Sequence, residues 1–268
     1  MTAFDVMERR MWDGQAESYA RTAARFCAST VPAVLDAAGV GAGTRLLDVG
    51  CGTGNVTAAA LARGAAVRAV DAEPGMVAAT RRAAPGAEVR TGTLPQLPFP
   101  DAEFDAVVGN FVLNHVGRPL EALVEMHRVT RPGGRIAVTV WEVPGTPGQA
   151  LVWRAAQAAG LTRPDWLATV DEERNFARTP DGLATLLTTA GLTHVQGDTH
   201  AWDYRTDPEE WWAGPAAGLG AVGSLITSAG PEGVAAAKRE YDVLCREFLA
   251  DDGLLTLPLA AVLAQGRV

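Results

Sequence analysis

Between residues 45 and 141, the apolar positions of the chain follow two alternating spacings. Short apolar runs bounded by Gly, Pro or Asp are typical of buried strands, and amphipathic stretches are typical of helices. The pattern predicts strands at 45–49, 66–70, 87–90, 104–109 and 134–141, and helices at 54–63, 74–84 and 118–130. This alternation indicates an α/β fold, with a mostly parallel sheet covered by helices on both faces.

The two ends of the chain are less regular. Residues 12–39 are predicted to be helical, with Gly39 as the stop. A Pro- and Gly-rich cluster at 144–148 precedes a second half with predicted helices at 149–160, 179–191 and from Asp207 onward, a helical stripe from Val234 to Phe248, and strands at 193–203 and 255–264. Pro258 in the last strand predicts an edge position or a bulge, because proline cannot donate to a ladder.

Composition and charge exclude several classes of protein. Of 268 residues, 48% are hydrophobic and 20% are charged, as in ordinary globular proteins. The net charge of −8 disfavours nucleic acid as a partner, because phosphate backbones would be repelled. We expect no signal peptide, and no membrane span because no apolar run reaches about 18 residues. Cys27, Cys51 and Cys245 lack paired spacing, which favours a reducing cytoplasm over a disulfide framework or a zinc site.

Glycines occupy alternate positions directly after the first predicted strand. Gly50, Gly52 and Gly54 follow Asp48, and glycine permits both positive φ and close approach of a ligand to the backbone. Asn55 stands where the dinucleotide fingerprint G-x-G-x-x-G requires its third glycine, which argues against a nicotinamide cofactor. Asp71 lies 17 residues after Gly54 at the end of the second strand, where a carboxylate can accept from both hydroxyls of a ribose.

The run Asp48-x-Gly50-x-Gly52-x-Gly54 resembles the first motif of class I S-adenosylmethionine-dependent methyltransferases. Three further segments occur in the order typical of small-molecule members of that family: the W-x6-Y opening from Trp12 to Tyr19, the stretch 92–101, and the turn 131–135. Together these segments span about half of the chain. The resemblance implies a Rossmann-like sheet of seven strands, mostly parallel, with an antiparallel last strand and a substrate-binding elaboration.

The resemblance also implies which residues bind S-adenosylmethionine and its product S-adenosylhomocysteine. Asp48, Gly50, Gly52 and Gly54 would hold the amino-acid part of this cofactor, and Asp71 its ribose. Met76, Thr93 and Leu94 would surround the adenine, Asn110 would lie near the sulfonium, and Tyr19 would close over the methionine end. Position 93 departs from the family pattern, because many relatives have an acid there and threonine has a shorter reach.

Methyl transfer depends mainly on alignment, although a general base helps when the acceptor must lose a proton. His115 follows the strand at 104–109 and is the predicted catalytic base, with a purely structural helix histidine as the alternative. Six of the seven tryptophans follow residue 140, which predicts an aromatic pocket for a small organic substrate. We assign substrate binding to Trp12, Trp141, Glu142 and Trp211. No metal site is predicted.

The sequence therefore predicts a methyltransferase that acts on a small molecule, such as a natural product or another secondary metabolite. It divides into a helical cap at 1–40, a cofactor-binding core at 41–143, and a substrate-binding elaboration with the final strands at 144–268, all within one structural domain. The alternatives are a protein that binds the cofactor without turnover and an NAD(P)-dependent oxidoreductase. We expect a cytoplasmic monomer or homodimer, with neither a nucleic acid nor a membrane as partner.

Overall fold

The fold is built on a single sheet of seven strands. A computed structural model describes all residues, Met1–Val268. The strands are β1 (Arg45–Val49), β2 (Ala66–Asp71), β3 (Glu88–Thr91), β4 (Phe104–Asn110), β5 (Thr130–Trp141), β6 (Thr193–Thr206) and β7 (Leu255–Arg267). Their order is β3-β2-β1-β4-β5-β7-β6, and only β7 runs antiparallel to its neighbours. The predicted fold class, including the antiparallel last strand, is confirmed.

Twelve α-helices connect and cover the strands. They are α1 (Ala3–Trp12), α2 (Ala16–Arg21), α3 (Ala23–Cys27), α4 (Val31–Ala37), α5 (Asn55–Ala62), α6 (Pro74–Ala83), α7 (Pro119–Val129), α8 (Pro147–Ala158), α9 (Pro180–Thr189), α10 (Pro208–Ala216), α11 (Gly220–Ser228) and α12 (Gly230–Leu244). Short 3₁₀ turns at 28–30, 112–115, 172–174 and 245–247 complete the regular structure. None of the helices combines the length and hydropathy that a bilayer crossing requires.

Helices bury both faces of the sheet, because neighbouring residues of a strand point to opposite sides. Leu47 of β1 shares an apolar cluster with Leu123 of α7 and Leu187 of α9. The adjacent Leu46 packs on the opposite face with Leu35 of α4. Both residues of β1 are fully buried, and the covering layers leave the carboxyl ends of the parallel strands available for a ligand.

The second half of the chain adds its own layer of helices around the start of β7. Leu255 and Leu257 of β7 pack with Leu151 of α8, Ile226 of α11 and Tyr241 of α12. The sequence pattern did not predict α11, because glycines at its start and middle lower helix propensity. Burial of its apolar side chains at 225–226 stabilises the helix in the folded protein. Segment 144–268 also supplies β6 and β7, so it completes the same sheet.

The prediction of one helical stretch over 12–39 is wrong in two respects. Helix α1 begins at Ala3, where Thr2 and Asp5 form a capping box. The remainder is divided into α2, α3 and α4, because Gly14 has a φ of +70° and Thr22 has a φ of −122° with a ψ of −94°. The consequence is a bent N-terminal segment that can follow the surface of the core.

The sequence predicts an edge position or a bulge at Pro258. Strand β7 as a whole is internal, between β5 and β6, but residue 258 lies beyond the end of its pairing with β5. Strand β5 ends at Trp141, opposite Ala261, whereas Pro258 pairs with Asp203 of β6. Residue 258 of β7 therefore lies past the end of β5 and pairs with no strand on that side. Proline is therefore tolerated in an internal strand, because its missing N–H costs no hydrogen bond on that side.

Candidate functional site

The carboxyl ends of β1, β2, β4 and β5 open into one cavity of about 1320 Å³. This volume exceeds the roughly 300–1,000 Å³ of a pocket for one drug-sized ligand, so the cavity has room for a cofactor together with an acceptor. Its wall combines residues from the cap, the core and the second half of the chain. Most of the predicted site residues border it: Trp12, Tyr19, Gly50, Gly52, Asp71, Met76, Thr93, Leu94, Asn110, His115, Trp141, Glu142 and Trp211.

The glycine loop after β1 bends into the cavity through three left-handed backbone positions. Gly50, Gly52 and Gly54 have φ values of +70°, +54° and +96°, which side chains other than glycine adopt only with strain. A Cβ atom on Gly50 would lie 2.5 Å from Cγ2 of Val112, and one on Gly52 would lie 3.3 Å from Cε1 of Tyr19. The loop therefore requires glycine for both its conformation and its close contacts.

Asp71 joins the end of β2 to this loop. Its Oδ2 accepts from the backbone N–H of Gly52 at 2.8 Å, and its Oδ1 accepts from the N–H of Glu73 at 3.0 Å. Burial raises the pKa of the Asp71 carboxyl, while these backbone hydrogen bonds oppose the shift. Each carboxylate oxygen keeps a further lone pair for a ligand, so the residue fits a diol that donates two hydrogen bonds.

Asp48 and Gly54 do not border the cavity, and their predicted direct contact with the cofactor stays a prediction. Asp48 is 1% exposed and lies beneath the loop, where its Oδ2 accepts from Oγ1 of Thr57 at 2.6 Å and its Oδ1 has no partner. Burial raises the pKa of Asp48 to about 7, against the hydrogen bond from Thr57. Gly54 is the N-cap of α5, so both residues support the loop from behind.

Met76, Thr93 and Leu94 line the cavity beside Asp71. Met76 is 3% exposed, and its backbone N–H donates to Oε2 of Glu73 at 2.6 Å, which fixes the start of α6. Thr93 forms an isolated bridge with Gln96. An apolar side chain and a short hydroxyl at this wall suit a flat heterocycle better than a charged group, as the adenine assignment requires.

Asn110 borders the cavity, and most of the hydrogen-bonding sites of its amide are used within the protein. Its Oδ1 accepts from Oγ1 of Thr30 at 2.7 Å and from Oγ1 of Thr139 at 2.6 Å. Its Nδ2 donates to the carbonyl of Cys27 at 3.2 Å. These bonds hold the segment after α3 against β4 and β5, so Asn110 shapes the wall where the sequence predicted a contact near the sulfonium.

An aromatic side chain of the cap, Trp12, contacts both Tyr19 and His115 at the cavity. The Trp12 ring lies edge-on to Tyr19 at 5.4 Å and to His115 at 5.0 Å. Burial and the neighbouring Cys27 raise the pKa of the Tyr19 phenol well above its usual range, so this residue stays neutral. The Nδ1 atom of His115 lies 2.8 Å from Oε2 of Glu8, and Trp12 Nε1 lies 3.0 Å from the same oxygen.

Aromatic side chains from all three parts of the chain form one wall of the cavity. Trp141, at the end of β5, stacks on Phe111 with 4.2 Å between ring centroids and an interplanar angle of 23°. Phe26 lies 4.9 Å from Trp211 between ring centroids, and the Nε1 atom of Trp211 is buried without a partner. Glu142 accepts from Oγ1 of Thr199 at 3.0 Å, so it is partly engaged within the protein.

Only part of the predicted tryptophan cluster contributes to the cavity. Trp141, Trp153 and Trp211 border it, whereas Trp166, Trp202 and Trp212 do not. Trp166 is 49% exposed, and Trp212 is 6% exposed in the apolar cluster around Tyr241. The accumulation of tryptophan in the second half therefore reflects core packing as well as the site.

A methyltransferase-domain family model matches residues 47–138. An uncharacterized protein of Mycobacterium tuberculosis is 32% identical over 251 residues, which cover 91% of this chain and 88% of that protein. The demethylmenaquinone methyltransferase of Beutenbergia cavernae is 42% identical over 112 residues, which cover 42% of this chain and 47% of that enzyme. The chain belongs to the class I S-adenosylmethionine-dependent methyltransferases.

The fold of this methyltransferase is also found among solved structures. A putative methyltransferase from an antibiotic biosynthesis pathway of Anabaena variabilis is 17% identical, with a TM-score of 0.59 over 90% of this chain and 97% of that chain. At this identity the likeness concerns the fold. Membership of the family implies binding of S-adenosylmethionine. The backbone of the glycine loop and the carboxylate of Asp71 provide hydrogen-bonding groups that fit that molecule.

Glu8 and Phe26 also border the cavity of this methyltransferase, although the sequence patterns did not indicate either residue. Glu8 lies in α1, whose start was signalled by the capping pair Thr2 and Asp5. Reading that pair would have placed Glu8 one helical turn before Trp12, on the same face. Phe26 carries no local signal, because its role depends on the distant Trp211.

Proposed function

We propose that this methyltransferase transfers a methyl group from S-adenosylmethionine to a small organic acceptor with apolar or aromatic surface. One observation carries the proposal: the glycine loop, Asp71 and an aromatic wall border the same cavity. The loop and carboxylate belong to the core, and the aromatic wall combines Phe26 of the cap, Trp141 at the end of the core and Trp211 of the second half. Cofactor and acceptor would therefore enter one cavity from two sides and be aligned there.

Several residues of this chain would hold the cofactor. Gly50 and Gly52 would bind the amino-acid part, the carboxylate of Asp71 would accept from the ribose, and Met76 and Leu94 would cover the adenine. The bound cofactor supplies an electrophilic methyl group on a sulfonium. The protein contributes binding, orientation and the exclusion of water around the acceptor.

We propose a natural product or another secondary metabolite as the acceptor. Phe26, Trp141 and Trp211 border the cavity and supply large apolar surfaces. The relatives named demethylmenaquinone methyltransferases match between 40% and 60% of this chain, so they support methyl transfer more than any particular acceptor. We further propose a cytoplasmic site of action, with which the three free, buried cysteines agree.

Two measurements test this function. Isothermal titration calorimetry with S-adenosylhomocysteine should show saturable binding of one molecule per chain, and absence of binding would overturn the proposal. Incubation with S-adenosylmethionine labelled in the methyl group and an extract of the producing cells should yield a labelled small molecule. Binding without any labelled product would favour the alternative of a cofactor-binding protein without turnover.

A further inference from the structure

Helix α1 brings a buried carboxylate to the histidine of the cavity. The side chain of Glu8 is 10% exposed, that of His115 is 37% exposed, and 2.8 Å separates Oε2 from Nδ1. The two residues are 107 positions apart in the chain. A carboxylate withdrawn from water is stabilised by hydrogen bonds to its charged form, and Glu8 receives them from His115 and Trp12.

The hydrogen bonds around Glu8 select one form of the imidazole. The Oε2 atom is an acceptor, so Nδ1 of His115 must carry the proton of this bond. Trp12 Nε1 is 3.0 Å from Oε2 and 3.3 Å from Nδ1. Since an indole N–H cannot donate to a protonated nitrogen, it donates to Glu8. The Nε2 atom of His115 is then unprotonated in the neutral ring, makes no hydrogen bond within the protein, and is available in the cavity.

Helix α1 is fixed to the segment that carries His115. The Oδ1 atom of Asp5 accepts from the backbone N–H of Gly117 at 2.7 Å, two residues beyond the histidine. On its other side, α1 buries Phe4 and Met7 against Leu167 and Val170. Both ends of the Glu8–His115 contact are therefore held by the fold.

We propose that Glu8 is a positioning residue that holds His115 as the proton acceptor for methyl transfer. The inference rests on the proposed function and deepens it, because it specifies the acceptor class. A base is required only when the reacting atom of the acceptor carries a proton, and the aromatic wall around Trp141 favours a phenolic or enolic hydroxyl. Sulfides and tertiary amines, which have no proton to lose, are outside this class.

The proposed step is balanced in atoms and charge. The O–H bond of the acceptor breaks and its proton passes to Nε2 of His115. A lone pair of the acceptor oxygen forms the bond to the methyl carbon as the bond from that carbon to sulfur breaks. The bonding pair stays on sulfur, which becomes the neutral thioether of S-adenosylhomocysteine. The imidazolium paired with Glu8 then releases its proton to solvent.

Other charged or titratable groups that border the cavity from α1, α2 and the start of α7 include Asp5, Arg9, Tyr19 and Arg118. Arg118 is paired with Glu121 at 2.8 Å, and Asp5 is bound to Thr2 and Gly117. Burial acts to raise the pKa of Asp5, but the hydrogen bonds and Arg118 outweigh it and lower the pKa overall. Among the charged side chains, Glu8 is the one that forms a hydrogen bond with the imidazole.

Side-chain nitrogen NMR of the full-length protein tests the inference without any acceptor. The His115→Asn variant assigns the signals of His115, and His127→Asn, on the outer helix α7, is the matched control. The wild-type neutral imidazole should carry its proton on Nδ1. In Glu8→Gln the population should shift toward the Nε2–H form, because the anionic acceptor is lost. A wild-type ring protonated on Nε2, or an unchanged ring in Glu8→Gln, would overturn the inference.

A second variant keeps the test informative if Glu8→Gln does not fold. Trp12→Phe keeps the carboxylate and removes only the indole donor, so Nδ1 should remain protonated. With the acceptor identified by labelling, His115→Asn should lower kcat by roughly 100-fold, at unchanged S-adenosylhomocysteine affinity. Failure to bind S-adenosylhomocysteine would refute the proposed function, whereas binding with Nε2 protonated would refute the role of Glu8 alone.

Discussion

The carboxylate of Asp71 accepts a hydrogen bond from the backbone N–H of Gly52, with 2.8 Å between the two atoms. This bond fixes the end of β2 to the loop that follows β1. The carboxylate of Asp71 and the backbone of Gly52 are both expected to contact the cofactor. This hydrogen bond keeps the distance between them constant. Preorganisation of this kind reduces the entropy lost when a ligand binds.

Replacement of Asp71 should weaken cofactor binding. We expect Asp71→Ala to reduce the affinity for S-adenosylhomocysteine by roughly 1.5–3 kcal/mol, the range for hydrogen bonds to a charged acceptor. Calorimetry provides the measurement. Asp36→Ala is the control, because Asp36 is an exposed carboxylate of α4 paired with Arg63 away from the cavity. Equal affinities of folded Asp71→Ala and wild-type protein would remove the ribose assignment.

The glycine loop can be tested with two valine variants. Gly52 and Gly43 both have positive φ values, +54° and +80°, but a Cβ on Gly43 meets no atom within 4 Å. Both Gly52→Val and Gly43→Val should cost about 1–2 kcal/mol in free energy of unfolding through backbone strain. Only Gly52→Val should lose S-adenosylhomocysteine binding, because its side chain meets Tyr19 at the cavity. Retained affinity in that variant would contradict the proposed position of the loop.

The buried carboxyl of Asp48 should make stability depend on pH. Its folded-state pKa of about 7 exceeds the unfolded value of about 3.9, so the folded protein binds the proton more tightly. The stabilisation from this proton is fully present below about pH 4 and is lost as pH rises toward about 7. At about 1.4 kcal/mol per pKa unit, it amounts to at most roughly 4 kcal/mol.

Asp48→Asn removes this proton equilibrium. Urea unfolding of both proteins from about pH 5 to pH 8 should show the variant gaining stability relative to the wild type as pH rises, with a plateau above about pH 7. The comparison cancels contributions from the other titrating groups. A difference in unfolding free energy that does not change with pH would show that Asp48 is ionised throughout this range.

The aromatic wall predicts a separation of acceptor binding from cofactor binding. Trp141→Ala removes the ring stacked on Phe111, and KM for the acceptor should rise roughly tenfold, as expected for an aromatic contact of about 1–1.5 kcal/mol. Affinity for S-adenosylhomocysteine should stay unchanged. Trp166→Ala, which removes a half-exposed ring outside the cavity, should alter neither quantity. If Trp141→Ala changed only the affinity for S-adenosylhomocysteine, the ring would belong to the part of the cavity that binds the cofactor.

Local patterns were sufficient to predict most of the fold. The strand at 45–49 matches β1, because a buried parallel strand is a short apolar run bounded by polar residues and turns. The glycine loop and Asp71 were predictable for the same reason: each lies within a few residues of the strand end that places it. The antiparallel last strand followed from the resemblance to the family, since no local pattern encodes strand order.

Features that depend on distant contacts were not predictable from the sequence. The motif predicted Asp48 as a residue of the site. It did not predict that the folded chain would bury this carboxylate away from the cavity. The position of Asn110 at the cavity was predicted, but its hydrogen bonds from Thr30 and Thr139 could not be, because those residues are distant in the chain. Pro258 was expected at an edge or a bulge. That it lies in an internal strand, past the end of β5, depends on how β7 pairs with β5, and the sequence of β7 does not encode that pairing.

The position of β7 between β5 and β6 limits how this protein could acquire a new acceptor specificity. The helices proposed to form the acceptor side of the cavity are followed by a strand that inserts between β5 and the edge strand β6. A hybrid enzyme made by joining residues 1–143 to another back half would have to reproduce the pairing of β5 with β7 from Arg135 to Trp141. Point substitutions in the cavity wall avoid that requirement, so specificity in this architecture is altered more readily by changing residues than by exchanging segments.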